Sequence, residues 1–153
     1  SLSLLTKIEN HEFNNTEKLN LSEILGALLK EYEELLILKK ITLNMDLAKD
    51  IEISGDRVLV QIMLTNLITN AIRHNIESGK INVTLSSNTF IIWNSGIPTD
   101  VNTLDFFNRF EKSNQHINSL GLGLSIVKII VENYNYNISY QVEEDIHILI
   151  INF

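Results

Sequence analysis

The sequence predicts an α+β domain, a two-layer α/β sandwich in which helices pack on a mixed, mostly antiparallel sheet. Three observations carry this. The chain has 153 residues, 44% of them hydrophobic, enough for one domain with a proper core. Stretches with the 3.6-residue period of an amphipathic helix and stretches with the two-residue period of a half-buried strand both occur. Helices alternate with pairs of strands rather than with single strands, unlike strict βαβ units.

The elements follow in order. Leu2, Leu5 and Ile8 recur at three-residue steps and read as the end of a helix, after which the charged HEF and the Asn14-Asn15 pair read as a linker. Asn20 and Glu23 form a capping-box pattern ahead of LSEILGALLKEYEELLILKK, read as one helix with apolar residues at 21, 24, 25, 28, 29, 32, 35 and 36. ITLNMDL alternates at Ile41, Leu43, Met45 and Leu47, a strand with one buried face. From Asp56 the helical period returns through Leu59, Ile62, Met63, Leu67, Ala71 and Ile72, a helix over 56–76. GKINVTL and FIIWN read as a hairpin turning at Ser86 to Thr89. The stretch from Ser95 to about Ser119 holds the only Pro and little pattern, a long loop of the kind that forms lids. GLGLSIVKIIVENY is a helix entered through two glycines, and NISYQV and IHILIIN are closing strands.

Composition narrows the function. The formal charge is −7, with acidic residues spread along the chain, which argues against a nucleic-acid partner needing a basic face. The absence of Cys removes disulfides and thiolate metal sites and fits a reducing compartment. The four histidines, at 11, 74, 116 and 147, have no metal-ligand spacing. No apolar run approaches a membrane span of roughly 18 residues, and no signal-peptide pattern opens the sequence.

Four local patterns carry chemistry. Asn66, Asn70 and Arg73 share one stripe of the 56–76 helix, being successive i+4 and i+3 positions. An amide oxygen is a hard ligand suited to Mg2+, and a guanidinium meets phosphate oxygens; a solvated face in a chain with 19 Asn is the alternative. Gly121-Leu122-Gly123-Leu124 precedes an apolar helix, where free amides and the helix dipole favour an anion. It is neither a P-loop nor a dinucleotide fingerprint, and a glycine-rich helix entry would look the same. Asn94-Ser95-Gly96 ends a strand, and Gly96 lets the backbone approach a flat ligand; a plain strand-ending turn is the alternative. NTLDFFNRFEKSN combines Phe106, Phe107 and Phe110 with Arg109 and Lys112, as a loop pinned to a core with a cation to spare, or as a satellite cluster.

In order and spacing, these patterns resemble the catalytic and ATP-binding domain of sensor histidine kinases, within the ATPase group that includes gyrase, the chaperone Hsp90 and MutL. GDRVLVQIMLTNLITNAIRHN is similar to the kinase N box, FFNRFEK to the F box, and SLGLGLSIVKIIVE to the second glycine box. The resemblance runs from about Leu19 to the C-terminus and implies the Bergerat-type ATP-binding fold. It implies ATP and Mg2+ as ligands, with Asn70 on the metal, Asn66 supporting it, and Arg73 at the triphosphate. His74 would pack near the pocket, and Lys112 would be a lid cation near the γ-phosphate. Asn94 and Gly96 would meet adenine, and Gly121, Leu122, Gly123 and Leu124 the phosphates, with Gly121 and Gly123 as lid hinges.

There are departures. The first glycine box of the family opens with Asp, whose carboxylate accepts from the adenine amino group; here Asn94 stands there, and its amide oxygen can still accept. Ser119-Leu120 replaces a Gly-Thr or Gly-Ser start of the second box, which stiffens the lid base. The gyrase and Hsp90 branches carry a water-orienting Glu at the first N-box position, where this chain has Asn66, which cannot act as a base.

The resemblance therefore implies a protein-histidine kinase module of a two-component system that donates the γ-phosphoryl group of ATP to a His on a separate helical domain. Residues 1–18 would be the tail of the dimerisation and phosphoacceptor helix with its linker, and 19–153 the catalytic domain. His11-Glu12 lacks the Arg-Thr-Pro that follows family phosphoacceptors. Expected partners are the chain's own phosphoacceptor domain, a response regulator, and a second copy of the parent in a homodimer. The expected setting is cytoplasmic, with a parent anchored in the inner membrane as one possibility. The rival readings are a degenerate regulatory module with little kinase activity, motivated by Asn94 and Ser119-Leu120, and a free-standing ATPase or serine-kinase relative.

Overall fold

The computed structural model describes residues 2–97 and 120–153. A five-stranded sheet has the order β2(Thr42–Leu47), β4(Lys80–Leu85), β5(Thr89–Ser95), β7(Ile146–Asn152), β6(Asn137–Glu143). The β2 and β4 strands run parallel, and every other neighbouring pair is antiparallel. Helices α2(Leu21–Glu31), α4(Arg57–Arg73) and α5(Leu120–Asn133) supply the second layer, with α4 touching α2, α5 and β5. This is the expected α+β sandwich.

Strand alternation sets the layers. Ile81, Val83 and Leu85 of β4, Phe90, Ile92 and Asn94 of β5, and His147, Leu149 and Ile151 of β7 are buried. Register lines up Val83, Ile92, Leu149 and Tyr140 as one row across four strands. Against this face α4 buries Leu59, Met63, Leu64, Leu67, Ile68 and Ala71, and α5 buries Leu124, Val127, Ile130 and Val131. Each such side chain removed from water contributes about 1.5–3 kcal/mol. Helix α1(Leu2–Glu9) adds Leu5 and Ile8 to the same cluster.

Several local readings need correction. Thr16–Asn20 is a strand, β1, rather than linker, and it pairs antiparallel with β3(Glu52–Asp56), which the sequence reading left unassigned. The segment read as one helix after Asn20 is two, α2 and α3(Glu33–Leu38), broken at Tyr32 with φ −91° and ψ 1°. Its predicted cap is present, the Asn20 side chain accepting from Glu23 N at 3.1 Å. Met45 is 56% exposed because β2 lies at the sheet edge, where no further strand among the described residues pairs with it. Helix α4 stops at Arg73 rather than residue 76, and α5 starts at Leu120, so Gly121 and Gly123 sit inside its first turn instead of ahead of it.

Candidate functional site

Helix α4 is held at its start by Asp56, whose Oδ1 accepts from Val58 N (2.9 Å) and Leu59 N (3.3 Å) as an N-cap. The helix then carries Asn66, Asn70 and His74 at four-residue steps toward its C-terminus. Asn66 is half-buried, and its Nδ2 donates back to Ile62 O at 2.8 Å, leaving its Oδ1 toward α5. A methyl group on Gly123 would stand 3.1 Å from that oxygen, a tight contact that the Asn66 amide would have to give way to. Asn70, one turn further, is 9% exposed. Arg73 is exposed in the last turn of α4, the end at which a cation complements the helix dipole.

His74 caps α4, its N–H donating to Asn70 O at 3.0 Å. Its Nε2 is buried and meets no hydrogen-bond partner among the described residues. Burial, then the Arg73 charge, then His147 push its pKa down to about 4. At neutral pH the ring is therefore uncharged, able to meet a ligand through one nitrogen but not to act as a proton donor of matched pKa.

The same end of α4 reaches β5. A Cβ on Gly96 would lie 3.1 Å from His74 O and 2.8 Å from the His147 imidazole, so a side chain there would close the gap between helix and sheet. Asn94 is 5% exposed on the helix-facing side, and its Nδ2 donates to Ser95 O at 2.9 Å, leaving its Oδ1 as an acceptor. Ser95 Oγ accepts from Lys80 N (2.7 Å) and donates to Asn75 Oδ1 (2.8 Å), while Asn75 Nδ2 donates to Lys80 O (3.0 Å). That network ties the end of α4 to the β4–β5 pair.

Most of the sequence-predicted residues on α4 thus lie on one stripe: Asn66 at Gly123, His74 at Gly96, and Asn70 between. Leu124 is fully buried, a core residue rather than a ligand contact. The backbone N–H groups of residues 120–123 form the first turn of α5 and have no partner within the helix. Lys112, with the F-box residues, lies outside the described residues. Sequence reasoning missed His147 and Tyr140, whose only signal was a His at an inward position of an apolar alternation, and it missed the Ser95–Asn75 network.

The donor set fits Mg2+ and a nucleotide. Among the described residues no three His, Asp or Glu converge. A metal here would rely on one buried amide oxygen and on phosphate oxygens, the arrangement Mg2+ favours. His74 Nε2, buried without a partner among the described residues, is an open polar atom that a ligand could meet.

Comparison with known proteins bears on the family and the fold. The family described as histidine kinase-, DNA gyrase B-, and HSP90-like ATPase matches residues 55–149. The chain is similar to the heme sensor protein HssS of Staphylococcus saprophyticus, 31% identical over 151 residues, covering 95% of this chain and 33% of that protein. It therefore spans about a third of the length of the curated relatives it matches. Among solved structures, the nucleotide-free catalytic domain of histidine kinase ThkA shares the fold with a TM-score of 0.77 at 24% identity, over 92% of this chain and 95% of that one. ThkA in complex with the response regulator protein TrrA matches at 25% identity and a TM-score of 0.72, over 99% of this chain and 47% of that one.

Proposed function

The chain belongs to the histidine kinase-, DNA gyrase B- and HSP90-like ATPase family, and on that premise we propose that it is the ATP-binding catalytic domain of a two-component sensor histidine kinase. The observation that carries the reading is the stripe Asn66–Asn70–His74, which runs from the glycine helix at Gly123 to the strand end at Gly96. Asn94 Oδ1 accepts from the adenine amino group, and Gly96, without a side chain, lets the backbone approach the base. Arg73 and the first-turn amides of α5 take the phosphates, and Asn66 braces the turn against Gly123. Asn70 is the metal ligand, and a bound Mg2+ would neutralise and align the phosphate oxygens. Lys112 is the lid cation of this reading.

Asn66 separates transfer from hydrolysis, because an amide cannot take a proton from water. The domain holds ATP for a His on a separate helical domain, and that phosphoryl group passes on to a response regulator; in the ThkA neighbour the kinase is in complex with one, TrrA. His11, just after α1, lacks the Arg-Thr-Pro that follows family phosphoacceptors and is not the acceptor in this reading. The parent acts as a homodimer with this domain in the cytoplasm, where ATP is; among the described residues no helix is long and apolar enough to cross a membrane.

Titration calorimetry with a non-hydrolysable ATP analogue tests the site. The expected result is Mg2+-dependent binding that Asn70→Ala removes. Absence of binding would favour a degenerate module, and steady phosphate release without a partner would favour an ATPase. Incubated alone with γ-labelled ATP, the chain is expected to stay unlabelled.

A further inference from the structure

A second buried imidazole lies under the strand end assigned above to adenine, and none of the roles given so far uses it. His147 is 7% exposed on β7, directly across the ladder from Asn94 of β5. On its other side Val142 is its partner on β6, and Tyr140 reaches it from the neighbouring inward position. From α4 it faces His74, close enough for the two rings to interact electrostatically. Above it Gly96 has no side chain, and the imidazole fills that space.

Hydrogen bonding assigns the proton on this ring. Nε2 faces Ile97 O at 3.3 Å, and a carbonyl can only accept, so Nε2 carries the hydrogen. In the neutral ring Nδ1 is then an acceptor, and the Tyr140 hydroxyl stands against it. Burial pushes the Tyr140 pKa up to about 12, so that hydroxyl stays protonated and able to donate. The chain is Tyr140 O–H to His147 Nδ1, then His147 Nε2–H to Ile97 O.

The Gly96 N–H also donates to Asp145 O at 2.8 Å, from the turn between β6 and β7. Gly96 and Ile97 are thus held by the β6–β7 hairpin twice, once through backbone and once through His147. The Ile97 side chain is 75% exposed and does little to anchor the segment. We propose that His147, oriented by Tyr140, is a positioning residue that fixes the Gly96–Ile97 backbone and so presets the base-binding end of the nucleotide site. The nucleotide part of this rests on the function proposed above; the pinning of the backbone does not.

Nitrogen-15 NMR of the imidazoles, amide exchange at Gly96, and ADP titration together test it. In the wild-type chain His147 is expected as the Nε2–H tautomer, and Tyr140→Phe is expected to weaken that preference, leaving only the Ile97 carbonyl to hold it. His147→Phe keeps the ring volume but loses both nitrogens. It should speed Gly96 exchange about tenfold and weaken ADP about fivefold, the scale of one hydrogen bond. His147→Gln, which restores a donor toward Ile97 O, should recover most of both losses, a rescue that simple repacking would not give. Asn70→Ala should leave the tautomer and the Gly96 exchange as they are. An Nδ1–H tautomer in the wild type overturns the proposal, as does unchanged Gly96 exchange in His147→Phe. If His147→Phe does not fold, unchanged exchange in Tyr140→Phe and no tautomer preference in the wild type do the same. If the wild type binds no ADP, the nucleotide reading fails while the tautomer and exchange still decide the pin.

Discussion

The two ends of α4 are both polar and buried, and they differ in whether the polar atoms are satisfied. At the start, Asp56 is 6% exposed with both carboxylate oxygens occupied: Oδ1 by Val58 N and Leu59 N, and Oδ2 by Asn15 N. Its own N–H donates to Tyr134 OH at 2.9 Å. At the far end, Asn70 is 9% exposed and His74 buries an Nε2 that no described residue meets. Burying a polar atom without a partner costs stability. Both ends of the helix are capped, but only the second keeps a buried polar atom without a partner among the described residues, His74 Nε2.

Two substitutions break this contrast in opposite directions. Asn70→Ala removes the amide read as the metal ligand and is expected to lower Mg2+-nucleotide affinity about a hundredfold. It should move the unfolding free energy by no more than about 1 kcal/mol, measured by urea denaturation. Asp56→Ala should do the reverse. Loss of the cap, together with the acceptor for Asn15 N, is expected to cost about 2 kcal/mol, a fall in Tm of roughly 4–8 °C for a domain of this size. Nucleotide affinity of the folded fraction should stay within about twofold. A Tm loss at Asn70 as large as that at Asp56 would erase the distinction between the two ends.

The sequence showed α4, its motif and the Asn20 cap of α2 because each leaves a local signature: a period, a spacing, a capping pair. It concealed what depends on the sheet. Strands β1 and β3 are TEKLN and EISGD, short and mostly polar, with Leu19 as the single buried side chain of β1. They are strands because they pair with each other. The break at Tyr32 is a backbone event beneath an unbroken side-chain period. Met45 alternates as an inward residue should, but β2 is an edge, which only the strand order reveals. The Tyr140–His147–Ile97 chain was likewise hidden, since it exists only in the register of β6 on β7 and the turn of β5 away from the sheet.

A finer test separates stability from function at the α4–α5 contact. Gly123→Ala replaces a glycine in the first turn of α5, worth at most about 1 kcal/mol in favour of the helix. The new methyl meets Asn66 Oδ1 at 3.1 Å and must push that amide aside. The expected outcome is a Tm held or raised, with nucleotide affinity reduced about fivefold in titration. Unchanged affinity would mean that the position of Asn66 does not matter to the site.

The smallest effect is the pH response of His74, and its sign follows from the direction of the shift. The folded pKa, about 4, lies below the ordinary 6.5, so the unfolded chain takes up the proton first. The stability this group contributes is fully present above about pH 6.5, is lost as pH falls toward 4, and changes no further below that. The ring is half-buried, so solvent screening holds the loss to about 1 kcal/mol. Urea unfolding of the wild type and His74→Gln between pH 7 and 4 should show a steeper decline in the wild type by that amount. Saturating nucleotide sharpens the comparison: an anionic ligand beside His74 favours its protonated form, so the extra decline should shrink when ligand is bound. An extra decline that nucleotide leaves untouched would place the ligand away from this end of the helix.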